Sequence, residues 1–154
     1  MAKGLIILNS GFEDVEGLAT IDVLRRAKIE MDIVALHDIN IVSQSGIKLQ
    51  AEGLISEVKL DSYDFLVIPG GGAVFKFLHK EKKVSEVIMK FAEANKLVAT
   101  ICAAPSLVGK LGLFKGKKYR SPKTRLLIKI PFTIGLNPYI RSRTVMAESA
   151  GLLC

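Results

Sequence analysis

The sequence predicts an α/β fold in which a parallel sheet is covered on both faces by helices. Short apolar segments, typical of strands buried on both faces, alternate along the chain with segments of helical periodicity. The joins are short, and polar or glycine-rich loops follow three of the strands. Because ligands bind at the carboxyl ends of parallel strands, the functional edge is expected at residues 9–16, 69–75 and 102–106.

The first half of the chain predicts two strands, a helix and a hairpin. The first strand is expected at residues 4–9. Residues 15–27 carry apolar side chains at helical spacing, with acidic residues in the first turn that suit a helix amino terminus. A second strand follows at residues 31–36, and residues 41–49 predict a small hairpin that turns at Ser45-Gly46.

The second half continues the alternation up to about residue 119. Phe65–Ile68 predicts a third parallel strand, which ends in Pro69 and three glycines. Helical spacing of apolar residues predicts a helix over residues 84–92, closed by Asn95. Residues 97–101 then predict a buried strand.

Cys102 stands at the corner between this strand and a helix that begins at Ala103, Ala104 and Pro105. A thiol at such a corner lies beside the unpaired N–H groups of the first helical turn, whose partial positive charge favours thiolate. Free cysteine is also a small hydrophobe that is often buried in cores. Position alone therefore leaves a nucleophile and a packing residue both open.

Composition indicates one ordinary globular domain over residues 1–154. Apolar residues make up 49% and charged residues 24% of the chain. Two cysteines, Cys102 and Cys154, do not make a disulfide framework and predict reduced thiols in the cytoplasm. The first apolar run is too short for a signal-peptide core, and no run approaches the roughly 18 apolar residues of a membrane span. We therefore expect no membrane partner.

The net charge of +7 is concentrated in residues 120–154, an atypical tail. The body of the chain is nearly balanced, and the basic tail lacks a nucleic-acid-binding motif with interleaved aromatics, so no nucleic-acid partner is expected. Periodicity deteriorates there, with a strand over residues 126–130 and a short helix over residues 144–153 as the candidates.

Four motifs, in this order and spacing, resemble the ThiJ/PfpI superfamily and most closely its DJ-one-like branch. The motifs are GFEDVEG at residues 11–17, DVLRRA at residues 22–27, VIPGGG at residues 67–72 and ATICAAP at residues 99–105. The resemblance covers about residues 3–119. It implies a flavodoxin-like sheet sandwiched between helices, with a nucleophile elbow at Cys102.

The same resemblance implies the roles of the site residues. Cys102 would be the nucleophile, Glu16 the carboxyl group that contacts its sulfur, and the N–H groups of Gly71 and Ala103 an oxyanion hole. A carboxyl in an apolar pocket beside a thiolate is pushed toward its protonated form and then donates a hydrogen bond to the sulfur. Such a pair shares one proton.

Each of these residues has a simpler interpretation. Glu16 can be a solvated charge in the first turn of the helix, a role for which Glu13 and Asp14 are better candidates. Glycines after a strand commonly serve turn geometry alone, which applies to Gly71.

Two adjacent arginines, Arg25 and Arg26, match a pair that lies near the dimer contact in the superfamily. The resemblance therefore implies a homodimer in which the first helix packs against its symmetry mate. An exposed helix face is the alternative interpretation.

The two histidines, His37 and His79, are expected as a loop residue and a solvated helix-end residue. The protease-like branch places a histidine directly after the cysteine, where this chain has Ala103. Other members have a histidine-proline pair where it has Ser121-Pro122. We therefore expect no peptide hydrolysis. No cluster has metal-ligand spacing and the glycine triplet is not followed by GK[ST], so no metal, nucleotide or other cofactor is expected.

Superfamily members continue for some thirty residues beyond the matched region with a strand, a loop and a covering helix. This chain instead has Ser142-Arg143-Thr144 and ends soon after. One hypothesis is that the residues after about 119 come from a shifted reading frame or a truncated gene. The other is a genuine tail that leaves part of one sheet face uncovered.

The functional expectation is a cofactor-free, cysteine-dependent enzyme of the glyoxalase or deglycase type that acts on a small carbonyl substrate. An alternative is a redox-sensing or chaperone-like stress protein in which an oxidant converts Cys102 to sulfinate. A third is a binding or structural α/β domain in which the cysteine only packs.

Overall fold

A computed structural model describes residues 2–116 and confirms the predicted α/β fold with a parallel central sheet. The strands are β1 (Lys3–Ile7), β2 (Glu30–Ala35), β3 (Asn40–Val42), β4 (Lys48–Gln50), β5 (Gly53–Leu54), β6 (Phe65–Ile68) and β7 (Leu97–Thr100). Five of them form one sheet in the order β5-β2-β1-β6-β7, and every neighbouring pair is parallel. β3 and β4 form the predicted antiparallel hairpin.

Four α-helices accompany the strands within these residues. They are α1 (Thr20–Arg26), α2 (Gly72–Lys76), α3 (Lys82–Glu93) and α4 (Pro105–Lys110). A π-helical turn, Val15–Ala19, leads directly into α1, and a 3-10 turn, Leu78–Lys80, follows α2. No helix in this part of the chain is long and apolar enough to cross a membrane.

The central strand β1 contributes to a core on each face of the sheet because its side chains alternate. Leu5 and Ile7 belong to the cluster that contains residues of α3 and α4. Ile6, and Leu8 directly after the strand, belong to the opposite cluster, which contains Ile21 of α1. Burying side chains of this size stabilises a fold by about 1.5–3 kcal/mol each, so β1 anchors both layers.

The predicted burial of the strand at residues 97–101 is wrong. Leu97 is 44% exposed and Ile101 is 48% exposed. Within residues 2–116 only β6 pairs with β7, so β7 is one of the two edge strands of the described sheet. A run of apolar residues predicts a strand but does not give its position in the sheet.

The first helix also differs from its apolar pattern. Ile21 faces the core, and Leu18 and Leu24 pack against it. Val15 and Val23 point the other way and are 71% and 62% exposed. The segment carries apolar residues on two faces of the helix, and only one of these faces contacts the sheet.

The expectations for the tail lie outside the described residues. They include the strand at residues 126–130, the helix at residues 144–153, Ser121-Pro122 and Cys154. The assignment of the whole chain to one domain stays a prediction.

Candidate active site

The loops after β1 and β6 are hydrogen-bonded to each other at the carboxyl edge of the sheet. Phe12 and Gly71 form an antiparallel bridge. The Glu13 N–H donates to the Gly70 carbonyl at 3.2 Å, and the Ala73 N–H donates to the Gly11 carbonyl at 3.0 Å. Because β1 connects to β2 on one side and adjoins β6 on the other, this is the point where the strand order reverses and where such sheets bind ligands.

Cys102 occupies the corner between β7 and α4 in a left-handed backbone conformation, with φ of +57°. This conformation is strained for a residue with a side chain. The turn is closed by the Ala104 N–H, which donates to the Ile101 carbonyl at 3.0 Å, and Pro105 begins α4. Ala103 and Ala104 are buried, whereas Cys102 is exposed. The buried turn therefore holds the thiol outward.

Glu16 lies on the π-helical turn and points its half-buried carboxyl group at the loop after β6. Its Oε2 atom accepts the Gly70 N–H at 2.7 Å, and the carboxyl is also hydrogen-bonded to the Cys102 thiol. Its backbone N–H donates to Oε2 of Glu13 at 2.8 Å. The solvated interpretation of Glu16 is therefore wrong for this structure.

Asp14 is held by the hairpin that β3 and β4 form, which we call the hairpin arm (residues 40–50). Its carboxylate accepts hydrogen bonds from the hydroxyls of Ser43 and Ser45, and from the Ser45 N–H at 3.1 Å. The hydrogen bonds from Ser43 and then Ser45 lower the pKa of Asp14. The arm thus fixes the loop that leads into the π-helical turn on which Glu16 lies.

The tip of the hairpin arm also reaches the glycine loop. The Gln44 N–H donates to the Phe12 carbonyl at 2.8 Å, and Oε1 of Gln44 accepts the Gly72 N–H at 3.0 Å. Sequence reasoning identified the hairpin but missed this role. The polar tip sequence Ser43–Ser45 is a weak signal for it, because such residues are ordinary in turns.

Gly70 allows the carboxyl and the thiol to meet. A Cβ atom at this position would lie 2.7 Å from Cβ of Cys102, 2.8 Å from Oε2 of Glu16 and 3.0 Å from Sγ of Cys102. Sequence reasoning singled out Gly71 from the triplet and missed Gly70. Gly71 has its own requirement, since its φ is +94° and a Cβ would lie 2.5 Å from backbone atoms of Glu13 and Gly11.

The sulfur of Cys102 accepts hydrogen bonds from the N–H groups of Gly71 and Ala103. The structure therefore brings together the four residues that the resemblance groups: Cys102, Glu16, Gly71 and Ala103. Burial raises the pKa of the Cys102 thiol, and the negative charge of Glu16 raises it further. The two N–H groups lower that pKa, but their effect is the smaller one. The helix start alone therefore does not decide the charge of the sulfur.

Burial likewise raises the pKa of the Glu16 carboxyl, against the opposing effects of the Gly70 N–H and the Cys102 thiol. Once one group is ionised, its charge disfavours ionisation of the other, so the two titrate as a coupled pair. Loss of one proton leaves a thiol beside a carboxylate or a thiolate beside a carboxyl. The arrangement supplies a nucleophile, a proton acceptor and two N–H donors for an anion.

The remaining predicted residues lie elsewhere. Both arginines are exposed: Arg25 donates to the Met31 carbonyl at 2.7 Å and pairs with Glu52 at 2.6 Å, and Arg26 pairs with Asp22 at 3.6 Å. His37 is an exposed loop residue whose Nε2 lies 3.0 Å from a Glu81 carboxylate oxygen.

His79 differs from the expectation of a solvated residue. Its Nε2 lies 2.8 Å from the Ser106 hydroxyl, and its ring stacks on Phe75 with centroids 5.7 Å apart. Among residues 2–116 no group of three or more histidine, cysteine or carboxylate side chains is arranged to hold a metal ion.

Three comparisons with known proteins find related sequences and structures. The sequence profile of the DJ-1/PfpI family matches residues 2–125. Protein DJ-1 homolog B of Arabidopsis thaliana is 42% identical over 117 residues, which cover 74% of this chain and 26% of that protein. Deglycase PfpI of Pyrococcus furiosus is 33% identical over 116 residues, which cover 75% of this chain and 69% of that protein.

Among solved structures, oxidized DJ-1 of Toxoplasma gondii is similar with a TM-score of 0.73 and 28% identity, over 79% of this chain and 67% of that one. The chain spans about a quarter of the Arabidopsis relative, since the match covers 26% of that protein.

We predict that Gly70→Ala separates the carboxyl from the thiol, because the new Cβ would occupy the space between them. Overpacking of this kind costs about 1–3 kcal/mol. Urea unfolding and the rate of Cys102 alkylation by iodoacetamide measure the two effects. Gly72→Ala is the matched control, since its Cβ would come no closer than 3.9 Å to the nearest atoms. Equal behaviour of the two variants would contradict the prediction.

We predict that Glu16→Gln converts a two-step pH profile of Cys102 alkylation into a single step. In the parent, the pKa for loss of the first proton from the pair lies below the pKa that the thiol has beside a neutral partner. The pKa for loss of the second proton lies above it. The midpoint of Glu16→Gln should therefore fall between the two parent midpoints. Both proteins carry Cys154→Ser, so that only Cys102 reacts. A parent profile with one step and the same midpoint as Glu16→Gln would show that the groups are uncoupled.

Proposed function

The chain belongs to the DJ-1/PfpI family, and from this premise we propose that it is a cysteine-dependent enzyme acting on small reactive carbonyl compounds. The observation that carries the proposal is the hydrogen-bonded contact of the Cys102 thiol with the Glu16 carboxyl, beside the N–H groups of Gly71 and Ala103. Similarity to Deglycase PfpI supports a reaction of the deglycase type, and we propose a glyoxalase-type reaction at the same site.

In the first step the sulfur of Cys102 attacks the aldehyde carbon of a dicarbonyl such as methylglyoxal. A sulfur-carbon bond forms, and the carbonyl electron pair moves to the oxygen, where the N–H groups of Gly71 and Ala103 can stabilise the charge. The thiol proton passes to the Glu16 carboxylate and then to that oxygen. The product is a hemithioacetal, and no oxidant or reductant is needed.

In the second step Glu16 removes the proton from the hemithioacetal carbon and returns it to the neighbouring carbon, while the hydroxyl proton of the hemithioacetal moves to the former ketone oxygen. This shift converts the hemithioacetal into a thioester without a net change in oxidation state. Water then hydrolyses the thioester, releases lactate and restores the thiol. The coupled pair suits these steps because one proton already moves between its members.

A redox-sensing function is the second candidate. It is favoured by the exposure of Cys102 and by N–H donors that would also stabilise the charge of a sulfinate. The similar Toxoplasma gondii protein was solved in its oxidized form. Two equivalents of peroxide would add two oxygen atoms to the sulfur and leave two of water. Selective addition of two oxygens at Cys102, without dicarbonyl turnover, would favour this function or a chaperone-like one. Either function suits a reducing compartment such as the cytoplasm.

We predict that Cys102→Ala abolishes lactate formation from methylglyoxal, because the sulfur-carbon bond can no longer form. The rate should fall by at least about 100-fold, to that of the uncatalysed reaction. Lactate is measured directly with purified protein. Cys154→Ser is the matched control and should keep the parent rate. Full activity in Cys102→Ala would sink the assignment of the nucleophile.

We also propose that the chain forms a homodimer through the exposed side of the first helix. Val15, Ala19 and Val23, four residues apart, form an exposed apolar stripe there. We predict that Val23→Glu shifts the protein from dimer to monomer in sedimentation, because it places a charge in the stripe. Ile47→Glu, on the exposed hairpin arm, is the control. A parent protein that sediments as a monomer would contradict the proposal.

A further inference from the structure

A hydrogen-bonded chain connects His79 to the backbone beside Cys102. The Ser106 hydroxyl lies 2.6 Å from the carbonyl oxygen of Ala103, and Nε2 of His79 lies 2.8 Å from the same hydroxyl. A carbonyl oxygen has no proton, so the single hydroxyl proton must point to Ala103. Nε2 of His79 must therefore carry a proton and donate it to Ser106. The direction of every bond in the chain follows from this count.

This series of hydrogen bonds ends at Ala103, the residue whose N–H faces the sulfur. The Ala103 N–H donates to Cys102, while the Ala103 carbonyl accepts both the Ser106 hydroxyl and, at 3.2 Å, the Ser106 N–H. Because both donors of Ser106 bind the Ala103 carbonyl, rotation about the backbone bonds of Ala103 is restricted. The direction of its N–H is restricted with it. The hydrogen bond that His79 donates to the Ser106 hydroxyl also strengthens the hydrogen bond from this hydroxyl to the Ala103 carbonyl.

The series of hydrogen bonds begins at His79, which lies on the segment that also carries the other N–H donor, Gly71. His79 belongs to the 3-10 turn after α2, and α2 begins directly after Gly71. Its ring stacks on Phe75, and its carbonyl accepts the ammonium group of Lys110 at 3.1 Å. The contact between His79 and Ser106 therefore links the α2 segment to α4, the two elements that present Gly71 and Ala103 to the sulfur.

We infer that His79, acting through Ser106, is a positioning residue that fixes the Ala103 half of the anion-binding pair beside Cys102. The inference rests on the proposed function for its effect on turnover, but not for its effect on the thiol. Loss of the imidazole donor lets the Ser106 hydroxyl rotate and loosens Ala103. The transition-state oxyanion and the thiolate then both lose part of one N–H interaction.

Two variants of His79 separate the donor from the ring. His79→Phe keeps an aromatic ring to stack on Phe75 and removes the donor, whereas His79→Gln keeps an N–H donor at a similar reach and removes the ring. Ser106→Ala removes the link and leaves His79 in place. All are made with Cys154→Ser, and circular dichroism with thermal unfolding checks that each is folded.

We predict that in His79→Phe and Ser106→Ala the first midpoint of the Cys102 alkylation profile moves to higher pH by about half a unit, because the thiolate loses stabilisation. The kcat for methylglyoxal should fall about tenfold with little change in KM, less than the roughly hundredfold loss when an oxyanion donor is deleted. His79→Gln should restore most of both values.

A folded His79→Phe with the parent midpoint would overturn the inference. Equal losses in His79→Phe and His79→Gln would also overturn it, since they would assign the effect to ring packing. A parent protein without methylglyoxal turnover would instead contradict the proposed function, and the alkylation midpoints would still decide the role of His79.

Discussion

The hydrogen bond from the Gly70 N–H to the Glu16 carboxyl is the contact on which the site depends. It brings a carboxyl from the first helical segment across to the loop after β6, within reach of the thiol that follows β7. The contact requires a residue without a side chain, because a Cβ on Gly70 would lie within 3.0 Å of both Glu16 and Cys102. Three separate chain segments thus meet through one backbone group.

The pKa values of Glu16 and Cys102 are set by burial and by mutual repulsion, which raise them, and by N–H donors, which lower them. Burial makes ionisation costly for both Glu16 and Cys102, and the two groups repel when both are charged. The N–H groups of Gly71 and Ala103 offset part of this cost for the sulfur. A pair of this kind keeps one mobile proton over a wide pH range, which suits chemistry that moves a proton twice.

Sequence patterns predicted the helices and strands that depend on local chemistry. They missed the position of β7 in the sheet and the hydrogen bonds between distant segments, which depend on how the elements pair. Apolar runs located β1 and β6, and Pro105 after Cys102 marked the start of α4. The same reasoning placed β7 in the interior, because a run of apolar residues carries no information on sheet order. The residues near Cys102 came from motif resemblance. The hydrogen bonds of His79 and of the hairpin arm join residues 27 to 32 positions apart, and no local pattern encodes them.

The long separation of the paired groups has a consequence for how reactivity arises. Glu16 and Gly70 are 54 residues apart, and their contact follows the docking of β6 against β1. Such a non-local contact requires closure of the intervening loop, which costs entropy before the contact contributes stability. A nascent or partly folded chain therefore carries an ordinary thiol. The raised pKa of Cys102 requires that these segments have docked, which makes it a chemical reporter of the native state.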